Sequence, residues 1–269
     1  MHYLVKQLFP PILNTLRWYS LKYGWKGNYS SFEAANSHSK GYNATHILDR
    51  IVTTTKKVRD QEIPFERDGI EYAELKMNYP LLSTLLWAAS QNNQALTVLD
   101  FGGSLGTCYF QNKAFLSGLK NLQWCIIEQS NYVEIGKKEF ESDQLHFYYT
   151  IDECLQQHSP QIILLNSVLQ YIEHPYSLLT SFKETKIPFL YFDFTAYISG
   201  QEDRYTIQHV PPAFYGIDAS YACCFFSKAK IFKFLDQYYT MVYEFISEPD
   251  KYFLELMPFQ YEGQLWKLN

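Results

Sequence analysis

Residues 96–110 read LTVLDFGGSLGTCYF, and this stretch decides the fold. A short apolar run leads to Asp100, and a turn rich in small residues follows. Such a run is typical of a buried parallel strand, and glycine is needed where the backbone bends tightly or a ligand lies close. The dinucleotide fingerprint G-x-G-x-x-G does not fit, because it would need glycine at Ser104 and Thr107. The pattern is instead an acidic residue followed by small residues at every second position: Asp100, Gly102, Ser104 and Gly106.

A second acidic residue, Glu128, ends the next apolar run at residues 122–127. It follows Gly106 by 22 residues, which is enough for one crossover helix. An acidic residue about 20 residues on, at the end of the second strand, commonly binds a ribose diol. A carboxylate suits this role because it can accept hydrogen bonds from both hydroxyls. The two motifs together predict a nucleoside site where the strands end.

The motif from Asp100 to Gly106 resembles motif I of the class I S-adenosylmethionine (SAM)-dependent methyltransferases, which usually have glycine where this chain has Ser104. The resemblance implies SAM as the cofactor, with its methionine part against the bare backbone of the turn. Tyr149 would lie near the adenine, and Asn166 and Ser167 near the methionine. The predicted cofactor-binding residues are Asp100, Gly102, Gly103, Ser104, Gly106, Glu128, Gln129, Tyr149, Asn166 and Ser167.

Longer segments are similar to a narrower methyltransferase family, one associated with bacterial surface-polysaccharide (lipopolysaccharide or capsule) biosynthesis. They are GNYSSFEAA (27–35), YPLL (79–82), VLDFGGSLG (98–106), EQSNYVEIGKK (128–138), SVLQYIEHPY (167–176) and RYTIQHVPPAFY (204–215). This similarity covers most of the chain. It implies methyltransferase activity more firmly than any substrate. The expected reaction is O-methylation of a sugar in a surface polysaccharide or its precursor.

The chain alternates strands and helices from residue 96 onward, which predicts an α/β fold. We expect a Rossmann-like, mostly parallel sheet of seven strands with an antiparallel last strand, as the resemblance implies. Residues 1–75 lack this alternation and are predicted to form an N-terminal helical cap, with 76–269 as the SAM-binding catalytic domain. The cap would have helices over 12–23, after Ser31 and over 44–58, and turns at 25–29 and 68–69. Residues 195–224 are expected to be irregular, and strands are predicted over 240–247 and 252–257.

Composition limits the class of partner. The 269 residues are 47% apolar and 19% charged, as in a globular protein, and the net charge of −5 argues against binding to nucleic acid. Five cysteines without C-x-x-C spacing favour buried free thiols in a reducing compartment, so a cytoplasmic protein is expected.

The first 18 residues contain an apolar stretch that Pro10 and Pro11 interrupt, so no transmembrane segment is predicted. We expect this segment to pack on its own domain. Peripheral association with a membrane or with a glycosyltransferase is the alternative.

Methyl transfer from a sulfonium needs an aligned acceptor and, for a sugar hydroxyl, a base. Asp193 and His209 are the candidate bases, Arg204 is a candidate for binding an anionic part of the acceptor, and His174 is a further polar candidate at the end of the fourth strand. Each has a structural alternative, such as a turn cap for His174. Asp193, Asp203 and His209 have no close ligand spacing, so no metal site is predicted.

Two other functions remain open at this point. One is a non-catalytic module of the same fold that assists a polysaccharide-synthesising complex. The other is a nucleotide-sugar or dinucleotide enzyme, which the poor fit to G-x-G-x-x-G disfavours.

Overall fold

The structure is a computed structural model that describes residues 22–40, 44–212 and 219–269, with side chains from residue 47 onward in the second range. The strands are β1 (Gly24–Tyr29), β2 (Phe65–Arg67), β3 (Ile70–Tyr72), β4 (Ala95–Phe101), β5 (Asn121–Ile127), β6 (Leu145–Tyr148), β7 (Ile162–Asn166), β8 (Phe189–Ile198), β9 (Arg204–Val210), β10 (Ala219–Ser227), β11 (Tyr239–Ile246), β12 (Tyr252–Leu254), β13 (Met257–Phe259) and β14 (Tyr261–Leu268). The helices are α1 (Phe32–Ser37), α2 (Ala44–Arg59), α3 (Tyr79–Gln91), α4 (Thr107–Leu116), α5 (Ser130–Glu139), α6 (Ile151–Leu155), α7 (Pro175–Glu184) and α8 (Lys228–Leu235).

The centre of the fold is a run of strands in the order β6-β5-β4-β7-β8-β14-β11. The first five pair in parallel, β14 is antiparallel to β8, and β11 is antiparallel to β14. Helices connect the parallel strands, so the predicted Rossmann-like α/β fold with a mostly parallel sheet is confirmed. The carboxyl ends of β4, β5, β7 and β8 therefore meet at one edge.

The predicted count of seven strands is wrong, because the whole sheet has twelve. The extra strands, called here the accessory strands, are β1, β9, β10, β12 and β13. They join the sheet through the end of β8, where Tyr197 and Ile198 pair with β10. Just before this end, Phe194 has a left-handed φ of 48°. A bulky residue rarely adopts this conformation unless its surroundings fix it, so Phe194 marks the junction between the two parts of the sheet.

The described residues of the N-terminal part do not form the purely helical cap that the sequence predicted. Residues 25–29, predicted as a turn, lie in β1, which pairs with β9 and β12. The short helix after Ser31 and the helix over 44–58 do form, and the Ser31 Oγ accepts the N–H of Ala34 at 3.0 Å. The helix predicted over 12–23 lies almost wholly outside the described residues. The domain division between residues 75 and 76 stays a prediction.

The segment 195–224 is also more regular than expected, since β9 and β10 lie within it or overlap it. Strand β10 is buried on both faces along most of its length. A strand of this kind carries no polar and apolar alternation, so its sequence gives little strand signal. The predicted strand over 252–257 is likewise two short strands, β12 and β13, and β14 was not predicted at all.

Apolar side chains cover both faces of the central strands. One cluster holds Trp124, Phe147 and Tyr191 together with residues of α2 to α5, and the other holds Leu190 and Trp266 with residues of α6 to α8. All five cysteines are buried and free, as the sequence predicted. Within the described part of the chain, none of the helices has the length and apolar character needed to cross a bilayer.

Candidate functional site

The glycine-rich turn connects β4 to α4 through several residues in the left-handed region. Gly102 has a φ of 72°, Ser104 of 55° and Gly106 of 101°. The N–H of Gly102 donates to the Ile127 carbonyl at 2.9 Å, which ties the turn to the end of β5. Gly106 is then the N-cap of α4. Glycine adopts positive φ without a Cβ clash, so these positions fix the path of the turn.

Gly102 and Gly103 are also required by the packing of the chain itself. A Cβ at Gly102 would lie 2.5 Å from the Val168 Cγ2, and one at Gly103 would lie 2.5 Å from the Asp100 Cγ. Both distances are far below a normal carbon–carbon contact. The small residues of the motif therefore let Asp100 and Val168 approach the turn, in addition to leaving its backbone bare.

Asp100 is buried beneath this turn. Its Oδ2 accepts the Trp124 Nε1–H at 2.9 Å. Burial, with a smaller contribution from the negative charge of Glu128, raises the pKa of Asp100 from 3.8 to about 7, and the hydrogen bond from Trp124 opposes this shift. At neutral pH the Asp100 carboxyl group is therefore partly protonated, and a cation beside it would favour the ionised form.

Glu128 lies beside the turn at the end of β5 and is half-buried. One carboxylate oxygen accepts the Gln129 N–H at 2.7 Å, and the carboxylate is also bonded to the backbone N–H of Ser104. Burial raises the pKa of Glu128, and these two N–H groups oppose the shift. The structure therefore brings together the two acidic residues that the sequence paired.

Ser104 departs from the usual glycine and has a consequence of its own. Its Oγ is buried and has no hydrogen-bond partner among the residues that the structure describes. An unsatisfied buried hydroxyl costs free energy, as does a non-glycine residue in the left-handed region.

The remaining predicted cofactor residues lie at the ends of neighbouring strands. The Asn166 Nδ2 donates to the Cys108 Sγ at 3.0 Å, and the Ser167 N–H donates to the Asp193 carbonyl at 2.9 Å with a left-handed φ of 59°. Tyr149 is exposed at the end of β6, with the Lys137 Nζ 4.8 Å from its ring centroid. Gln129 is exposed and is the N-cap of α5.

Asp193 is fully buried at the end of the central part of β8. Its Oδ1 accepts the Phe194 N–H at 2.8 Å, and its Oδ2 accepts from the Asn78 Nδ2 and from the Tyr191 hydroxyl at 3.2 Å. Burial raises the pKa of Asp193, and hydrogen bonds from Ser247, Asn78, the Phe194 N–H and Tyr191 oppose the shift. The carboxylate is thus surrounded by donors of the protein.

Arg204 is held by the backbone of β1 and by a carboxylate. Its Nε and Nη2 donate to the Gly27 carbonyl at 2.9 and 2.8 Å, and Nη2 also donates to the Glu255 Oε2 at 2.8 Å. The acidic partner of Arg204 is thus Glu255 and neither of the acidic residues just before it in the chain, Glu202 and Asp203. These bonds link β9 to β1 and to the residue that follows β12.

His209 and His174 are the other two predicted catalytic residues. His209 is on β9, opposite Gly24 and Ser220, and burial followed by the charges of nearby lysines lowers its pKa. His174 is exposed at the N-cap of α7, where its side chain makes no capping bond. Among the described residues, no hydrogen bond or ion pair joins any two of the four predicted catalytic side chains.

A hairpin that the sequence predicted only as a turn completes this edge of the sheet. Strands β2 and β3 form it, and the Thr107 hydroxyl at the start of α4 donates to the buried Glu66 carboxylate. The next residue, Arg67, places its guanidinium 4.4 Å from the ring centroid of Phe194. Only the Asp68-Gly69 turn signalled this hairpin in the sequence, and nothing there indicated where the hairpin docks.

Comparison with known proteins gives matches at the level of structure. No family model and no curated protein matches the chain. A crystal structure of the N-terminal domain of EvdMO1 in the presence of SAH and D-fucose is 15% identical over 84% of this chain and 100% of that one, with a TM-score of 0.46. A SAM-dependent methyltransferase from Clostridium acetobutylicum is 13% identical over 72% of this chain and 93% of that one, with a TM-score of 0.48.

A SAM-dependent methyltransferase from Methanosarcina mazei is 12% identical over 71% of this chain and 97% of that one, with a TM-score of 0.49. Because the TM-scores and identities are this low, none of these similarities carries a functional argument. The fold class rests on the strand order described above.

Proposed function

We propose that this chain is a SAM-dependent methyltransferase acting on a small-molecule acceptor. The observation that carries the proposal is the pairing of Asp100 and Glu128 at the ends of β4 and β5, with the Glu128 carboxylate against the Ser104 N–H. Ligands of open α/β sheets bind outside the carboxyl ends of the strands, which is where these residues lie.

The residues at this edge fit the cofactor. Glu128 is half-buried and offers a carboxylate to a ribose diol, and the turn from Gly102 to Ser104 presents backbone without large side chains. Burial disfavours the ionised form of Asp100, and a positively charged ligand bound nearby would stabilise that form. Tyr149 would contact the adenine, and Asn166 and Ser167 the methionine. SAM supplies an activated methyl group, so the task of the chain is alignment and exclusion of water.

For the base we propose Asp193 ahead of His209. Asp193 ends the central part of β8 and pairs in register with Asn166 at the end of β7, whereas His209 lies on an accessory strand. Arg204 as an acceptor-binding residue and His174 as a polar contact stay further proposals. The contacts of Arg204 with Gly27 and Glu255 support a positioning role more directly.

The acceptor is proposed to be a sugar hydroxyl of a surface polysaccharide or its precursor. The sequence resemblance is the support for this choice. A cytoplasmic location, with peripheral association with a membrane or a glycosyltransferase, belongs to the same proposal.

Calorimetric titration with S-adenosylhomocysteine (SAH) tests the cofactor site. Glu128→Gln should lower the affinity about tenfold, because a neutral amide is a poorer acceptor for two hydroxyls. Glu134→Gln, at an exposed position on α5, is the matched control and should bind as the wild type does. Absence of SAH binding to the wild-type protein, or equal affinity for both variants, would overturn the proposal.

A second candidate is the non-catalytic module of the same fold. It is favoured by the Asp193 carboxylate, whose two oxygens both accept hydrogen bonds from the protein. The two functions differ in single-turnover assays that follow the labelled methyl group into glycan fractions. SAH binding without any methyl transfer supports the module, and transfer that Asp193→Asn abolishes supports the enzyme.

A further inference from the structure

Arg67 differs from the other arginines in the described residues. Arg50 donates to the Gly69 carbonyl, Arg59 pairs with Asp60, and Arg204 is held as described above. Arg67 is half-buried and, within the part of the chain that the structure describes, has neither an ion pair nor a hydrogen bond. Its contacts are the ring faces of Phe194 and Phe65, at 4.4 and 5.8 Å from the centroids.

The place of Arg67 is fixed from both sides. The hairpin is anchored by Glu66, which accepts from the Thr107 hydroxyl and from the Gly69 N–H at 3.1 Å. The guanidinium then lies on Phe194, directly after Asp193 at the end of the central part of β8. A cation on an aromatic face is stabilised, yet the stacking leaves the N–H groups at the edge of the guanidinium available.

The neighbouring carboxylates do not use these N–H groups. Glu66 and Asp193 have their own donors, and Asp68, the next residue, interacts with Arg67 by charge alone, since no carboxylate of the described residues lies within ion-pair distance of Arg67. Arg67 is also among the charges acting on Cys108, in the first turn of α4. Within the described ranges, a guanidinium without an ion pair therefore lies beside Phe194 of β8 and next to Glu66, which binds the start of α4.

We propose that Arg67 binds an anionic group, a carboxylate or a phosphate, on the methyl acceptor. This inference rests on the proposed function, and it selects acidic or phosphorylated acceptors over neutral ones. Both anions offer two oxygens in the geometry that the guanidinium fork matches. It also assigns the binding of the anion to Arg67 instead of Arg204, because the guanidinium of Arg204 already donates to the Gly27 carbonyl and to Glu255.

The test uses the full chain saturated with SAH and three probes: glucuronate, glucose 1-phosphate and glucose. Saturation-transfer NMR titrations should show that at least one anionic probe binds about tenfold or more tightly than glucose. Arg67→Gln should remove this preference, and Arg67→Lys should restore only part of it because an ammonium lacks the fork. Arg59→Gln is the matched control and should behave as the wild type. Comparing the two anions distinguishes a carboxylate from a phosphate.

The outcomes separate this inference from the proposed function. Arg67→Gln should keep the wild-type SAH affinity, so that a lost anion preference would not reflect a general loss of the fold. If the wild-type protein shows no preference for either anion, or binds none of the probes, the inference is wrong while SAH binding still supports the proposed function. A preference that survives Arg67→Gln also overturns it. If SAH does not bind, the proposed function fails, and the anion titrations without SAH still decide the role of Arg67.

Discussion

Two regions of the molecule use polar residues in different ways. One is the edge at the ends of β4, β5, β7 and β8, called here the cofactor edge because we propose that SAM binds there, and the other is the accessory strands. At the cofactor edge, Asp100 and its hydrogen-bond partner Trp124 are 24 residues apart in the chain. Glu128 is half-buried there, beside the glycine-rich turn. In the accessory strands, Arg204 and the Gly27 carbonyl that it binds are 177 residues apart. In the first region the Glu128 carboxylate stays partly exposed, whereas Arg204 in the second region donates hydrogen bonds that hold strands together. A charged residue in a suggestive motif is therefore not by itself a site.

Gly103→Ala should give the largest effect, and it tests whether the cofactor edge depends on close packing. The new Cβ would lie 2.5 Å from the Asp100 Cγ, so either the turn or the carboxyl group must move. We expect the free energy of unfolding to fall by about 3 kcal/mol and SAH binding to be lost. Urea unfolding and calorimetry measure the two quantities.

Gly118→Ala is the matched control, because a Cβ there meets nothing within 4 Å. It should leave both stability and binding unchanged. Wild-type behaviour of Gly103→Ala would mean that the turn is less tightly packed against Asp100 than the structure indicates.

Arg204→Gln tests the accessory strands. It removes bonds to the Gly27 carbonyl and to Glu255, so the free energy of unfolding should fall by about 2 kcal/mol. The affinity for SAH should not change, because the cofactor edge does not include this residue. Arg59→Gln, at a more exposed ion pair, should cost less than about 0.5 kcal/mol.

Wild-type stability of Arg204→Gln together with a loss of methyl transfer would contradict the structural role of Arg204 in the accessory strands. That result would return Arg204 to the acceptor site.

Over the single pH unit below neutrality, the pH dependence of stability should give the smallest effect. Burial raises the pKa of Asp100 from 3.8 to about 7, so between these values the folded state holds a proton that the unfolded state releases. The free energy of unfolding should therefore fall as the pH rises, by about 1 kcal/mol between roughly pH 6 and 7. Asp100→Asn should flatten this slope while keeping an acceptor for Trp124.

Urea unfolding at a series of pH values measures the slope. A shallower slope should remain in Asp100→Asn, because burial also raises the pKa values of Glu66, Glu128 and Asp193. Asp152→Asn, at an exposed position on α6, should keep the full wild-type slope. An unchanged slope in Asp100→Asn would show that Asp100 is not the main titrating group.

The sequence by itself determined the central strands and the cofactor edge. Apolar runs of strand length, the turn from Asp100 to Gly106 and the spacing to Glu128 are local signals, and parallel strands bring their ends to one edge whatever else the chain does. The helix cap at Ser31 and the burial of the five cysteines follow from equally local chemistry.

Only the tertiary structure decided the use of the remaining polar residues and the extension of the sheet. The sequence had no signal for β10, which is buried on both faces, or for the pairing of β1 with β9. It likewise could not show that Arg204 would meet Glu255 or that Arg67 would lie on the ring of Phe194. Such contacts join residues far apart in the chain, and their partners are set by how whole strands and hairpins dock, which no local pattern encodes.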